Sequence, residues 1–188
     1  MPNVKKIERT MIKQKIPEET MAKFDFPDDK EIKPEELIAF IKQMDKLLPK
    51  ELCLSIMEQQ GCCKTGKSEA AHRAFGRKHA GKTVEERIKL FPELDTPHKA
   101  PCHINSDGTL SVYWGTGEEG NYKCVCSTIK KLPEPYDIPR TYCGCCGGHI
   151  RHNYQNSLGV SLRLKEIVSS PISSGGKKRC EFIYEIKE

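Results

Sequence analysis

The sequence lacks any long apolar run. No stretch of the 188 residues approaches the roughly 20 apolar residues that a membrane span requires. The opening MPNVKKIERTMIKQKIPEE has basic residues with no apolar stretch behind them, so it does not read as a secretory signal. Both absences lead to the expectation of a cytoplasmic protein without a membrane partner, in a compartment where thiols stay reduced. Concentrated charge is also missing. The net charge is +5, but residues 1–94 carry 19 Lys/Arg against 16 Asp/Glu, and the remainder carry 12 against 10. A nucleic-acid binder gathers its basic residues on one face, so no nucleic-acid partner is expected. There is no internal repeat. At 37% hydrophobic residues the chain can bury a core without needing disulfides to fold.

What is present is organised as helices first and strands later. Residues 1–33 read as a polar arm or short helices packed on the body. From Pro34, which suits a first helical position, Leu37, Phe40, Ile41, Met44, Leu47 and Leu48 form a helical stripe that Pro49 ends. Lys50 to Gln59 reads as a second helix stopped by Gly61, and Ser68 to His79 as a third. Thr83 with Glu86 three residues on is a capping box for a fourth. After Pro92 the pattern changes to strands. Asp107-Gly108 is a hairpin signal, and Leu110, Val112 and Trp114 alternate with polar residues. Tyr122, Cys124 and Cys126 are placed on one face of a further strand. CGCCGGH then opens a long helix, Cys146–Leu158, which Gly159 stops. Two strands joined by SPISSGGKK close the chain, the first with Val160, Leu162, Leu164, Glu166 and Val168 inward, the second with Cys180, Phe182, Tyr184 and Ile186 inward. The fold class expected is α+β, with N-terminal helices followed by an antiparallel sheet on which that helix packs. Residues 1–33 form the arm, 34–94 a helical subdomain and 95–188 a Cys-rich α+β domain, packed with the helices as one unit.

Ten cysteines stand out against this background, and they bunch as CC, CVC and CGCC. In CVC, two residues apart on a strand, Cys124 and Cys126 would lie about 6.6 Å apart on one face. Cys145 and Cys146 stand at a helix N-terminus, where free N–H groups and the helix dipole stabilise a thiolate. Gly147 and Gly148 leave the first turn without side chains, so that a ligand could approach the backbone. Tetrahedral zinc takes about four S or N ligands. Cys145, Cys146, Cys180, Cys126, Cys124 and Cys63 are the candidates, though the two separated C-x₂-C knuckles of a zinc ribbon are missing. An iron–sulfur cluster takes thiolates too and is the alternative metal group. Free cysteine also serves as a small core hydrophobe, and Cys53, beside Leu52 and Ile56, reads that way. Cys102 and Cys180 stay open between core and site.

Two other residue types bear on the chemistry. His149 follows CGCC within the first turn, where it could ligate or act as a base beside a thiolate. Glu166 either continues the inward set of its strand toward Cys180 and Phe182, or is turned outward by a bulge that gives its core place to Ile167. His79 suits a helix C-terminus. His103 should point away from Cys102, its strand neighbour.

Residues 143–186 resemble the 4-vinyl-reductase-type domain family. The matching elements are Cys145 and Cys146 at a helix start, LGVSLRLKE ending in Glu166, the turn at Gly175 and Gly176, and Cys180 with Phe182 in CEFIYEI. The resemblance covers about a quarter of the chain. It implies a small α+β module that binds a small molecule, often dimerises, and serves as a sensor or adaptor in the cytoplasm. Such domains are distantly similar to haem-based nitric-oxide sensors, vesicle-tethering subunits and thiazoline-carboxylate hydrolases. The resemblance also implies a zinc or ligand site at the matched cysteines. The family usually carries a further cysteine just after the strand glutamate, where this chain has Ser169 and Ser170.

Three functions follow as expectations. The first is a small-molecule-binding or sensory protein with a thiolate-bound zinc, possessing a small-molecule ligand and a homodimer as partners. The second is a thiol-dependent hydrolase or redox enzyme, in which a low-pKa Cys145 or Cys146 (or Cys143) attacks with His149 or Glu166 as base. The third is a structural protein with core cysteines.

Overall fold

A computed structural model of the chain describes residues 2–28, 32–61, 66–96, 100–129, 132 and 137–187. The chain is α+β, as expected from the sequence. Its helices are α1 (Val4–Lys13), α2 (Glu18–Met21), α3 (Pro34–Leu47), α4 (Lys50–Glu58), α5 (Lys67–Lys78), α6 (Val84–Lys89) and α7 (Gly144–Leu158). The strands are β1 (Cys102–Ile104), β2 (Leu110–Trp114), β3 (Thr116–Glu118), β4 (Asn121–Lys123), β5 (Ser161–Ser169) and β6 (Cys180–Lys187). An antiparallel sheet runs in the order β1-β2-β6-β5, and β3 and β4 form a separate two-stranded ribbon. Among the described residues no helix is long and apolar enough to cross a membrane.

Local chemistry sets these elements. Thr83 accepts from the Glu86 amide and the Glu86 carboxylate accepts from the Thr83 amide, closing the capping box at the start of α6. Pro34 opens α3. Gly108, at φ 78°, makes the turn between β1 and β2. Gly159 adopts a left-handed φ of 71° and ends α7. The N-terminal arm is more regular than its polarity suggests. Asn3 Oδ1 caps α1 through the Lys6 amide at 2.9 Å. Val4, Ile7 and Met11 recur at helical spacing and are fully buried, each contributing about 1.5–3 kcal/mol.

The interior has two apolar clusters. One joins α1, α3 and α4 around Ile7, Ile41, Met44, Ile56 and Met57 and reaches Tyr142 and Cys145. The other fills the space between α7 and the sheet with Ile150, Tyr154, Leu158, Val112, Leu164, Phe182 and Tyr184. Helix α7 lies between them and packs on α4, α5 and β5. Its seating depends on a buried ion pair. Glu58, 3% exposed, binds Arg151 Nη1 at 2.5 Å and accepts from the Leu164 amide at 2.9 Å. That carboxylate ties α4 to both α7 and β5.

Two sequence expectations change here, and one left open is decided. The strand through Tyr122 stops at Lys123, so Cys124 and Cys126 lie in the segment beyond β4. Helix α7 begins at Gly144, two residues before Cys146. Strand β5 shifts register between Leu164 and Glu166. The extra residue gives the core position to Ile167, which pairs with Phe182, and sets Glu166 opposite Ile183. Glu166 is therefore half-buried, while Ile167 is 3% exposed. Val168 also leaves the inward set, and Ser169 replaces it.

Candidate functional site: a cluster of thiols

Three chain segments deliver cysteines to the start of α7. The first is the start itself. A 3-10 turn, Arg140–Cys143, runs directly into α7 and leaves Cys143 as its N-cap. The turn is held by Thr141 Oγ1, which donates to Asp45 Oδ1 at 2.6 Å. Cys145 and Cys146 follow in the first helical turn. The second segment is the stretch after β4. The Tyr122 amide donates to the Gly176 carbonyl at 2.8 Å, and the Arg179 guanidinium sits 4.9 Å from the Tyr122 ring centroid. These contacts dock the β3–β4 ribbon beside the start of β6 and carry Cys124 and Cys126 in with it. The third segment is β6, where Cys180 points inward and is 4% exposed.

The resulting arrangement straddles the two apolar clusters. Cys145, Cys124 and Cys126 pack on the side of α1, α3 and α4. Cys143, Cys146 and Cys180 pack on the side of the sheet. Cys145 Sγ donates to the Gln60 carbonyl at 3.4 Å, and Cys126 Sγ lies 3.8 Å from the Tyr142 hydroxyl. The Ser170 hydroxyl hydrogen-bonds the Cys143 side chain. Cys124, Cys126, Cys143 and Cys146 are half-buried, and all the described cysteines are free thiols.

Burial raises the pKa of Cys143, Cys146 and Cys180. Burial pushes Cys143 up from a thiol's ordinary 9.0 to about 12, with neighbouring Cys124, Cys126 and Cys145 adding to the rise and Ser170 opposing it. Burial, then the charges of Cys143, Cys145, Cys126 and Cys180, drives Cys146 well above the ordinary range. Cys180 is raised by burial and by Cys143, Cys124 and Cys126. Tyr142 is raised by burial and by Cys126. A helix N-terminus favours a thiolate, but the cost of burying the charge outweighs it here. At a pKa near 12 only about one thiol in 10⁵ is ionised at pH 7. Burial therefore opposes a low-pKa nucleophile at Cys143 and Cys146.

The zinc expectation is corrected. A tetrahedral site needs deprotonated thiolates converging at about 2.3 Å on one point. Cys145 faces one apolar cluster while Cys143, Cys146 and Cys180 face the other. Among the described residues no three or more Cys, His, Asp or Glu side chains are arranged to hold a metal ion. The same geometry removes the iron–sulfur alternative. Cys63, also a candidate ligand, lies outside the described residues, as does Cys62.

Other cysteines and the histidines make contacts of their own. His149 contacts Asn153 at 3.4 Å and sets its ring edge-on to Trp114, with 6.0 Å between centroids. Cys53 is fully buried and donates to the Met44 carbonyl at 3.4 Å, the core role expected of it. Cys102 sits on β1, and burial alone raises it to about 12. His103 faces outward and stacks on Tyr113. His79 caps α5 and lies 3.5 Å from Glu93. His72 is fully buried, 2.6 Å from the Ser157 hydroxyl.

The glycines of α7 serve packing rather than ligand approach. A Cβ on Gly148 would sit 1.9 Å from the Glu58 carbonyl oxygen. One on Gly147 would meet Leu164 at 2.9 Å, and one on Gly144 would meet Met57 Cβ at 2.7 Å. The first turn is bare because α4 and β5 occupy that space. Sequence reasoning also passed over one spacing, the C-x-x-C of Cys143 and Cys146. Placing the helix start two residues earlier reveals it as N-cap and third helical residue.

No protein-family model matches the sequence, and no curated protein matches it. Two solved structures resemble the fold. One is a mutant H-NOX domain from Shewanella oneidensis in the Fe(II)CO ligation state, with a TM-score of 0.35 and 9% identity over 100% of this chain and 99% of that one. The other is an H-NOX protein from S. oneidensis in the Fe(II)NO state, with a TM-score of 0.31 and 9% identity over 97% and 89%. Similarity of this degree assigns neither a family nor a ligand to the chain.

Proposed function

We propose that the protein is a small-molecule-binding, sensory protein, and that its site is the thiol cluster at the start of α7. The observation that carries this reading is the convergence of Cys124, Cys126, Cys143, Cys145, Cys146 and Cys180 from three segments onto the seam between two apolar clusters. Cysteines filling a core independently have no reason to meet. Four of them, Cys124, Cys126, Cys143 and Cys146, are only partly buried as residues. The ligand class is a compact, uncharged molecule that reacts with thiols, because the walls are apolar. Reaction at the seam changes the volume there, and cores packed at crystal-like density transmit such a change to both sides.

The test uses methyl methanethiosulfonate, which places a methylthio group on a thiol. The reduced, full-length protein is treated with it, and the melting temperature and near-UV circular dichroism are followed alongside intact mass. Modification of the cluster is expected to shift the melting temperature by several degrees and change the near-UV signal. Cluster modification that leaves both unchanged would sink a sensory role.

A further inference from the structure

We propose that Cys143 and Cys146 form a reversible disulfide by exchange with a low-molecular-weight disulfide, which makes the N-cap of α7 a redox modification site. The proposal rests on the sensory reading above and names the chemical class of its ligand.

The geometry supports this pair. Cys143 has helical backbone angles, φ −67° and ψ −10°, although it precedes α7. It therefore stands three helical positions from Cys146, on the same face. Helix geometry puts their Cα atoms roughly 5 Å apart, inside the span of about 4.4–6.8 Å that a disulfide requires. Side chains so spaced have Cβ atoms about 5–6 Å apart, and a disulfide needs about 4 Å. Closing that gap takes side-chain rotation together with a small shift of the 3-10 turn that ends at Cys143. Both side chains are half-buried in the same apolar cluster. Cys145, between them in sequence, turns to the opposite cluster and donates to the Gln60 carbonyl.

The steps balance. Cys143 loses its proton to solvent, assisted by the Ser170 hydroxyl hydrogen-bonded to its side chain. Its sulfur attacks one sulfur of the small disulfide, the S–S bond breaks, and one small thiolate leaves and takes up a proton. Cys143 now carries a mixed disulfide. Cys146 loses its proton and attacks the Cys143 sulfur, expelling the second small thiol. The protein dithiol has been oxidised by two electrons, and one small disulfide has been reduced to two thiols. An excess of the small thiol reverses both steps.

The experiment treats the reduced full-length chain with 2-hydroxyethyl disulfide, alkylates the free thiols, and maps the peptides by mass spectrometry. The expected product is a Cys143–Cys146 disulfide. Cys146→Ser should stop at a hydroxyethylthio adduct on Cys143, and Cys143→Ser should abolish the disulfide. Circular dichroism establishes that each variant is folded. Ser170→Ala keeps both thiols and should slow the first step several-fold, which a merely structural role for Ser170 would not do. A disulfide mapped to another pair in the cluster overturns the proposal and leaves the sensory reading standing. No reaction anywhere in the cluster overturns both.

Discussion

At the scale of the residue, the balance between burial and helix-terminal stabilisation decides the chemistry of the cysteines. Sequence position alone favours a thiolate at the start of α7, whereas the surroundings push Cys143 to about 12. Its ionised fraction should then grow tenfold with each pH unit through the neutral and mildly alkaline range. The rate of iodoacetamide labelling at Cys143, read peptide by peptide, should rise about tenfold between pH 7 and pH 8 and again between pH 8 and pH 9. Cys102, also raised to about 12 by burial, should follow the same slope. A plateau below pH 9 at Cys143 would mean that the thiol is activated after all.

At the scale of the element, the start of α7 is defined by how closely its neighbours approach. Gly148→Ala puts a methyl group against the Glu58 carbonyl, backbone that cannot yield cheaply. It should cost about 3 kcal/mol or more by chemical denaturation. Arg151→Met leaves the buried Glu58 carboxylate without its ion-pair partner and should cost about 3–5 kcal/mol. The loss should lessen in acid, because burial already raises the Glu58 pKa and protonation removes the unpaired charge.

The elements also mark what the sequence makes legible. Helices α3 to α6 and the closing strand pair follow from apolar periodicity and caps, which are local signals. The β5 bulge is legible only as one of two alternatives, because the alternation through Leu162 and Leu164 continues onto Glu166 without a break, and pairing with β6 decides between them. The truncated β4 escapes for a similar reason: Tyr122, Cys124 and Cys126 keep strand spacing where no partner strand continues. The glycines after Cys146 are conspicuous in the sequence, but whether ligand or protein fills their space depends on α4, more than 80 residues away in the chain. The bunching of cysteines at the start of α7 is legible in the sequence. Their convergence with Cys124, Cys126 and Cys180 depends on docking of the ribbon against Gly176 and Arg179, which no local pattern encodes.

At the scale of the whole molecule, several thiols share one direction of shift. Cys53, Cys102 and Cys143 each rise from 9.0 to about 12 on folding. Between these values the folded state holds protons that the unfolded chain has released. Stability is therefore flat below pH 8 and falls as pH rises from about 9 toward 12. Each such thiol contributes a slope of about 1.4 kcal/mol per pH unit. Melting of the reduced protein across pH 7–10 should show a level region and then a steep decline. A Cys53→Ala, Cys102→Ala double variant should decline less steeply, and an unchanged profile would contradict the linkage.

The account's central claim is that the cluster, rather than cysteine in general, is where a small molecule meets this protein. Site-resolved methylthiolation of the folded, reduced chain tests it most directly, with Cys53 as the internal reference because it is fully buried. Cys124, Cys126, Cys143 and Cys146 should be modified while Cys53 remains free. If those four react only as fast as Cys53, so that all depend on global unfolding, the cluster is core and the claim fails.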